Sequence, residues 1–292
     1  FNDTATTEIY TSLFVGRRQM CIRDRPISEL GEVLTQTQTA LAGWWKVLEV
    51  LDKEVEVKEP DQGMTLPDSP LDIKVEGVDF SYRTGGVVLD NVDIYIPAGI
   101  SVAVVGETGS GKTTFAKLLT RLADPTSGRI LINGEDLRKI DSNHRHRGIR
   151  MVPQDGFLFD TSVIENVRFG RNDAKRSEAE EAIDDLGLWS WVDQLPEGLE
   201  TRVGERGEAL SVGERQLVAL ARAQVADPGL LILDEATSAI DPETEQMLEA
   251  TLERLAQGRT TVSIAHRIST AERSDLILVF DEGKIVEKGE HS

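Results

Sequence analysis

A glycine-rich stretch at residues 106–113 has the residue types that bind phosphate. It reads Gly-Glu-Thr-Gly-Ser-Gly-Lys-Thr and matches the template G-x-x-x-x-G-K-S/T. Glycines let backbone N–H groups close around phosphate oxygens, and a following helix adds the positive end of its dipole. We expect Lys112 to reach the β- and γ-phosphates and the Thr113 hydroxyl to ligate Mg²⁺. The stretch predicts a binding site for a nucleoside triphosphate. The phosphate-binding candidates are Gly106, Glu107, Thr108, Gly109, Ser110, Gly111, Lys112, Thr113 and Thr114.

A second candidate site follows the apolar run at residues 230–233, which ends in Asp234 and Glu235. A buried strand that ends in aspartate can hold Mg²⁺, often through water, and an adjacent glutamate can act as the general base that polarises the attacking water. We therefore expect Asp234 at the metal and Glu235 in catalysis.

The elements around these motifs predict an α/β fold. Short apolar runs alternate with helical stretches, a pattern typical of a domain with a substantial parallel sheet. The predicted strands are 71–80, 100–105, 129–132, 149–152, 230–233, 260–264 and 275–280. The predicted helices are 112–122, 177–187, 212–225, 243–257 and 268–273. Local signals refine these bounds: a tight turn at 133–134, a capping box from Ser177 to Glu180, and Pro242 at a first helical position.

Composition narrows the function classes. The formal net charge of −19 opposes a nucleic-acid backbone as the main partner, so we expect no nucleic-acid binding. One cysteine excludes an internal disulfide. No run reaches the 18 or more apolar residues that a membrane-spanning helix needs. The four tryptophans, Trp191 among them, are interpreted as packing residues.

The segment Leu210-Ser-Val-Gly-Glu-Arg-Gln216 lies between the glycine-rich motif at residues 106–113 and the acidic motif at residues 234–235. With this segment in place, residues 71–292 resemble the nucleotide-binding domain of an ABC transporter, because the motifs occur in that family's order and spacing. The resemblance implies a P-loop NTPase fold of the ABC type: a RecA-like parallel-sheet core, an antiparallel β subdomain and a helical subdomain.

The resemblance also implies roles for single residues. Tyr82 would stack on the adenine ring. Gln154 would contact Mg²⁺ and the attacking water, and would couple the site to the transport domain. His266 would hold the γ-phosphate and the water in line, so that it joins Glu235 and Gln154 as a catalytic candidate.

Three further residues are implied to act on a partner. Ser211 and Gly213 would contact the γ-phosphate of an ATP held by a second nucleotide-binding domain, and Asp241 would lie at that dimer interface. The usual signature Leu-Ser-Gly-Gly-Gln is altered here by Val212 and Glu214. Since Ser211 and Glu214 have capping-box spacing, we expect a fixed helix start that still presents N–H groups to phosphate.

Two segments resemble parts of ABC exporters. The loop at residues 201–207 is similar to one that contacts the intracellular ends of the membrane helices in that group. Residues 26–52 form a predicted amphipathic helix whose single apolar seam follows steps of three and four, and they resemble the cytoplasmic tail of an exporter's last membrane helix. We expect a linker at 53–70 and the nucleotide-binding domain at 71–292.

The basic segment 1–25 fits neither part. It resembles translated sequencing-adaptor sequence, and we expect it to be non-native or disordered; the alternative is a juxtamembrane segment that favours anionic lipid.

The leading hypothesis is the ATP-hydrolysing motor of an exporter at the cytoplasmic face of the cell membrane, paired with a second nucleotide-binding domain and with transmembrane domains. Two alternatives stay open at this point. One is the separate ATPase subunit of an ABC importer, and the other is a soluble ABC ATPase that does not transport, such as one associated with nucleic acid or ribosomes.

Overall fold

The structure is a computed structural model that describes residues 29–53, 57–67, 70–153, 156–234, 241–265 and 268–290. The chain divides into two compact units, Phe1–Val55 and Glu56–Ser292. The predictions made for the segment 1–25 fall outside the described residues and stay predictions.

The described part of the first unit is one helix, α1, at residues 29–51. The predicted helix is therefore present. Most of its apolar seam is exposed, including Leu30, Leu34, Leu41 and Trp44. Among the described residues, no helix is long and apolar enough to cross a membrane.

The second unit begins with a four-stranded antiparallel sheet of order β2-β1-β4-β5. Its strands are β1 Ile73–Ser81, β2 Val87–Ile96, β4 Ser127–Ile132 and β5 Glu135–Asp136. Asn133 and Gly134 have φ of 49° and 79° and join β4 to β5, which confirms the predicted tight turn. Strand β2 was not predicted, because its buried positions step from Leu89 to Val92 across a bulge and so break the two-residue period.

A six-stranded sheet of order β10-β9-β3-β8-β7-β6 forms the centre of the unit. It contains β3 Ser101–Gly106, β6 Ile149–Val152, β7 Leu230–Asp234, β8 Thr260–Ile264, β9 Leu276–Asp281 and β10 Lys284–Gly289. Neighbouring strands from β6 across to β9 pair in parallel, whereas β10 pairs with β9 antiparallel. Because the carboxyl ends of parallel strands lie at one edge of a sheet, β3 and β7 deliver the phosphate loop and Asp234 to the same edge.

Eight helices of the described residues surround the sheets: α2 Lys112–Leu119, α3 Ser142–Gly148, α4 Val163–Arg168, α5 Arg176–Asp185, α6 Trp189–Val192, α7 Val212–Ala226, α8 Pro242–Ala256 and α9 Ile268–Glu272. One buried core joins the two sheets to α2. A second core lies among α4, α5, α6, α7 and α8. This division agrees with the predicted α/β core, antiparallel subdomain and helical subdomain.

Helix α5 corrects a predicted cap. The predicted box from Ser177 to Glu180 is wrong, because the helix begins earlier, at Arg176. Glu178 accepts the Lys175 N–H at 2.7 Å and satisfies a donor that the first turn leaves free. Pro242 does occupy the start of α8, as predicted.

Residues 57–67 pack on the core of the second unit. Met64 pairs with Ile140 in an isolated bridge, and Leu66 is buried. The carboxylate of Glu59 accepts two bonds from buried Arg145, at 2.6 and 3.0 Å, and lies 3.5 Å from buried Arg121. Glu59 thus pairs with two buried guanidinium groups, of which Arg121 also pairs with Asp124 at 3.0 Å.

We predict that Glu59→Ala destabilises the second unit by about 1–2 kcal/mol, less than the loss of a fully buried pair because the Glu59 side chain is 46% exposed. Urea unfolding measures this. The hydrogen bond from Arg145 holds the pKa of Glu59 below its ordinary value of 4.5. The stabilisation is therefore present above that pH and is lost as the pH falls through the lowered pKa. As a control, Glu76→Ala removes a carboxylate whose partners, Lys74 and Arg129, are 53% and 56% exposed rather than buried, and it should change stability less; equal losses would contradict the role of Glu59.

Candidate functional site

The phosphate loop begins where β3 ends, and its backbone passes too close to β9 for a side chain. Gly106 has φ of 150°, and a Cβ there would lie 2.1 Å from the Phe280 carbonyl oxygen. Gly111 has φ of 103° and caps α2, and a Cβ there would lie 2.7 Å from Leu89. Glycine is required at both positions, so the motif's spacing reflects packing as well as phosphate access.

Lys112 is buried and points back into the loop. Its ammonium donates to the carbonyl oxygens of Gly106 and Glu107, each at 2.7 Å. Burial lowers the pKa of Lys112, and the negative charge of Asp234 opposes that shift. Because the two hydrogen-bond acceptors are neutral, the loop keeps a positive charge at the centre of its curve, which attracts phosphate.

Asp234 ends β7 at the same edge of the sheet, separated from β3 by β8. Its charge acts on Lys112, so the structure brings together the two motifs that lie far apart in sequence. Thr113, on the first turn of α2, is exposed. The hydroxyl and the carboxylate are hard oxygen donors of the kind that Mg²⁺ prefers, and this donor set fits the ion.

Tyr82 follows β1 and lies beside the loop. Its hydroxyl is 3.2 Å from the Thr114 hydroxyl, and its ring packs edge-on against Phe80 at a centroid distance of 4.9 Å. The residue is 45% exposed, so the ring retains open surface next to the phosphate loop. That placement suits stacking on a nucleotide base.

The signature segment forms the start of α7. Ser211 is the N-cap: its hydroxyl accepts the Glu214 N–H at 3.3 Å, while Glu214 accepts the Ser211 N–H at 2.8 Å. The predicted capping box is confirmed. Gly213 is buried. The side chain of Val212, which replaces a glycine of the usual signature, is 43% exposed at the surface of this chain.

Glu214 has a further donor that the sequence did not indicate. The Trp191 indole N–H donates to its other carboxylate oxygen at 3.0 Å. Burial raises the pKa of Glu214, but the bonds from Ser211 and Trp191 outweigh that effect and leave the pKa lowered. Trp191 is buried, as a packing residue should be, but it also donates a hydrogen bond to a residue 23 positions away, and such a contact leaves no local sequence signal.

Asp241 also acts on this region. It caps α8 by accepting the Thr244 N–H at 2.9 Å, and its charge acts on Glu214. The start of α7 therefore lies close enough to the start of α8 for the charge of Asp241 to act on Glu214. Within the described part of the chain, no hydrogen bond joins residues 211–215 to the phosphate loop.

Three predicted residues, Gln154, Glu235 and His266, lie outside the described residues. Their roles stay predictions. Pro153, Asp234 and Ala265, which immediately precede them, are described, and each follows or ends a strand of the central sheet.

We predict that Gly106→Ala destabilises the chain more than Gly109→Ala, because only the first adds a steric collision to the backbone strain. Gly109 has φ of 89°, and a Cβ there would meet no atom of the described residues within 4 Å, so its substitution should cost about 1–2 kcal/mol of strain alone. Gly106→Ala adds the collision with Phe280 and should cost about 3 kcal/mol or more and abolish nucleotide binding. Thermal unfolding and calorimetric titration with Mg-ATP measure both, and equal effects would contradict the close approach.

The family model described as ABC transporter matches residues 89–238, which is 150 of the 292 residues. The chain is 40% identical over 267 residues to an uncharacterized ABC transporter ATP-binding protein of Bacillus subtilis, covering 91% of this chain and 44% of the relative. It is 39% identical over 267 residues to an ATM1-type heavy metal exporter of Novosphingobium aromaticivorans, covering 91% of this chain and 44% of that relative.

Among solved structures, a bacterial Atm1-family ABC exporter with ATP bound aligns with a TM-score of 0.78 and 38% identity, over 91% of this chain and 47% of that chain. The chain thus spans less than half the length of these relatives. Since the family is matched over more than half of the chain and the phosphate loop has the geometry that its motif requires, the chain belongs to the ABC transporter family and carries that family's ATP-binding domain.

Proposed function

We propose that this chain is the ATP-hydrolysing motor of an ABC exporter, which pairs with a second nucleotide-binding domain around ATP to drive transport. The proposal rests on two features of one domain that would each contact a phosphate group. One is the loop that holds Lys112, and the other is the capped start of α7. The likeness to an ATM1-type heavy metal exporter and to an ATP-bound exporter supports the transport direction.

ATP would bind with its phosphates in the loop at residues 106–114 and its adenine on the open ring of Tyr82. The loop's N–H groups and Lys112 would hold the β- and γ-phosphates. Thr113, Asp234 and Gln154 would hold Mg²⁺, which when bound neutralises phosphate charge and orients the γ-phosphate for attack.

Hydrolysis would proceed by in-line attack of water on the γ-phosphate. Glu235 would accept the proton from the attacking water as general base, because it directly follows Asp234 at the sheet edge. His266 would hold the water and the γ-phosphate in line, and Gln154 would position the same water. Positioning and charge stabilisation supply most of the catalysis in such a reaction.

The second of these features, the capped start of α7, would act on the partner's nucleotide. Ser211 and Gly213 would contact the γ-phosphate that the other domain holds, and Asp241 would lie at the interface. ATP binding would favour the closed pair and hydrolysis would release it, so that the reaction drives a conformational cycle.

The loop at residues 201–207 supports an exporter rather than an importer. Val203 is buried; its N–H donates to the Thr161 carbonyl oxygen and its own carbonyl oxygen accepts the Ala209 N–H, whereas Arg202 is exposed and pairs with Asp160 at 3.6 Å. This firmly held loop would contact the transmembrane domains at the cytoplasmic face of the membrane. Helix α1 would continue from the last membrane helix, with residues 53–70 as the linker to the domain at 71–292.

We predict that Glu235→Gln reduces ATP turnover by at least 100-fold while leaving ATP affinity within about threefold, because a neutral amide cannot accept the proton. Phosphate release and calorimetric titration with Mg-ATP measure the two quantities. Glu180→Gln, which removes a surface charge on α5, is the matched control and should retain full turnover. Turnover above a few per cent in Glu235→Gln would remove that residue from the role of base.

A further inference from the structure

Hydrogen bonds within this chain explain why glutamate stands at position 214, where the usual signature has glutamine. At the start of α7, two N–H donors converge on position 214: the Ser211 backbone at 2.8 Å and the Trp191 indole at 3.0 Å. A glutamate presents two acceptor oxygens and satisfies both donors, whereas the glutamine of the usual signature presents one acceptor oxygen and an NH₂ group. Glu214 is therefore complementary to Trp191 in a way that glutamine is not.

Trp191 is fixed by the second core. It lies in α6, is 4% exposed and packs in the apolar cluster that joins the helices of this subdomain. The Trp191 side chain thus links the second core to Glu214 in the signature segment. Ser211, three residues before Glu214, is held twice, by its N–H and by its hydroxyl oxygen.

The bonds fix the position of the serine hydroxyl oxygen. It accepts the Glu214 N–H at 3.3 Å, and because a hydroxyl hydrogen rotates about the C–O bond, it can turn toward a phosphate oxygen. A phosphate oxygen brought to the start of α7 would receive that hydrogen together with the N–H groups of the first turn. The Glu214 carboxylate holds the Ser211 N–H, and so fixes the cap from which that hydroxyl and the first turn would face a phosphate.

We propose that Trp191 is a positioning residue of the signature: through Glu214, it holds Ser211 in the orientation that donates to the γ-phosphate of the opposing domain's ATP. The proposal rests on the proposed function, since it requires a second domain to present that ATP. It assigns Trp191 no contact with nucleotide.

The test compares Trp191→Phe, Glu214→Gln and their double variant with the parent chain. Trp191→Phe keeps an aromatic ring in the core and removes the donor. Trp189→Phe is the matched control, because Trp189 lies on the same short helix but is 37% exposed, and its indole makes no hydrogen bond within the described residues. Thermal unfolding of each variant identifies any general loss of folding.

The first measurement is amide hydrogen exchange of residues 211–214 without nucleotide. Trp191→Phe should raise exchange there by on the order of fivefold, the effect of losing about one hydrogen bond. Trp189→Phe should leave it unchanged. Unchanged exchange in Trp191→Phe would overturn the positioning role, whether or not the chain dimerises.

The second measurement is association of the chain driven by a Mg²⁺-bound, non-hydrolysable ATP analogue. Trp191→Phe should weaken association by on the order of fivefold, while the affinity of each single domain for the analogue stays unchanged. Glu214→Gln alone should weaken it similarly. In the Trp191→Phe background, Glu214→Gln should add little, because one acceptor then suffices for one donor.

The outcomes separate this inference from the proposed function. If the parent chain binds the analogue and remains a monomer, the shared-site model is contradicted, while hydrogen exchange still decides whether Trp191 positions the signature. If the parent associates and the two substitutions weaken association additively, the coupling through Glu214 is overturned.

Discussion

The rest of the site depends on the hydrogen bonds that hold the ammonium group of Lys112. It lies inside the curve of the phosphate loop, held by carbonyl oxygens of Gly106 and Glu107 at 2.7 Å. That position requires the loop to turn sharply at the end of β3, which requires glycine where the chain meets Phe280. Burial of a charge whose hydrogen-bond acceptors are neutral carbonyls costs free energy, and the two sheets and α2 must pack firmly enough to offset it. A bound triphosphate would supply a strong negative counter-charge.

The central sheet determines what Lys112 faces. In sequence, β3 and β7 are separated by α2, β4, β5 and β6 as well as by the helical subdomain, yet only β8 lies between them in the described sheet. Asp234 consequently acts on Lys112, and the helical subdomain packs in a second core that also includes Val152, Leu231 and Leu233 of the sheet. In the proposed function, this arrangement would give one domain a loop that holds phosphate and a helix start, at α7, that completes a neighbour's site.

Much of this could be predicted from sequence because the informative features are local. The phosphate loop, the signature cap and the turn at residues 133–134 each depend on residues within a few positions of one another. Strand β2 could not be predicted, since a bulge shifts its buried side chains by one position. The contacts of Glu59 with Arg145 and of Trp191 with Glu214 join residues 86 and 23 positions apart, and no periodicity or motif encodes them. Such contacts follow from how the elements pack, which is decided by the whole chain.

The most direct test of a shared ATP site is the solution mass of the Glu235→Gln chain with Mg-ATP and with Mg-ADP. Ser211 and Gly213 are proposed to contact the γ-phosphate, so only the triphosphate should join two chains. The account predicts a dimer with Mg-ATP and a monomer with Mg-ADP. A monomer in both conditions, with ATP bound at the phosphate loop, would contradict a site shared between two copies of this domain.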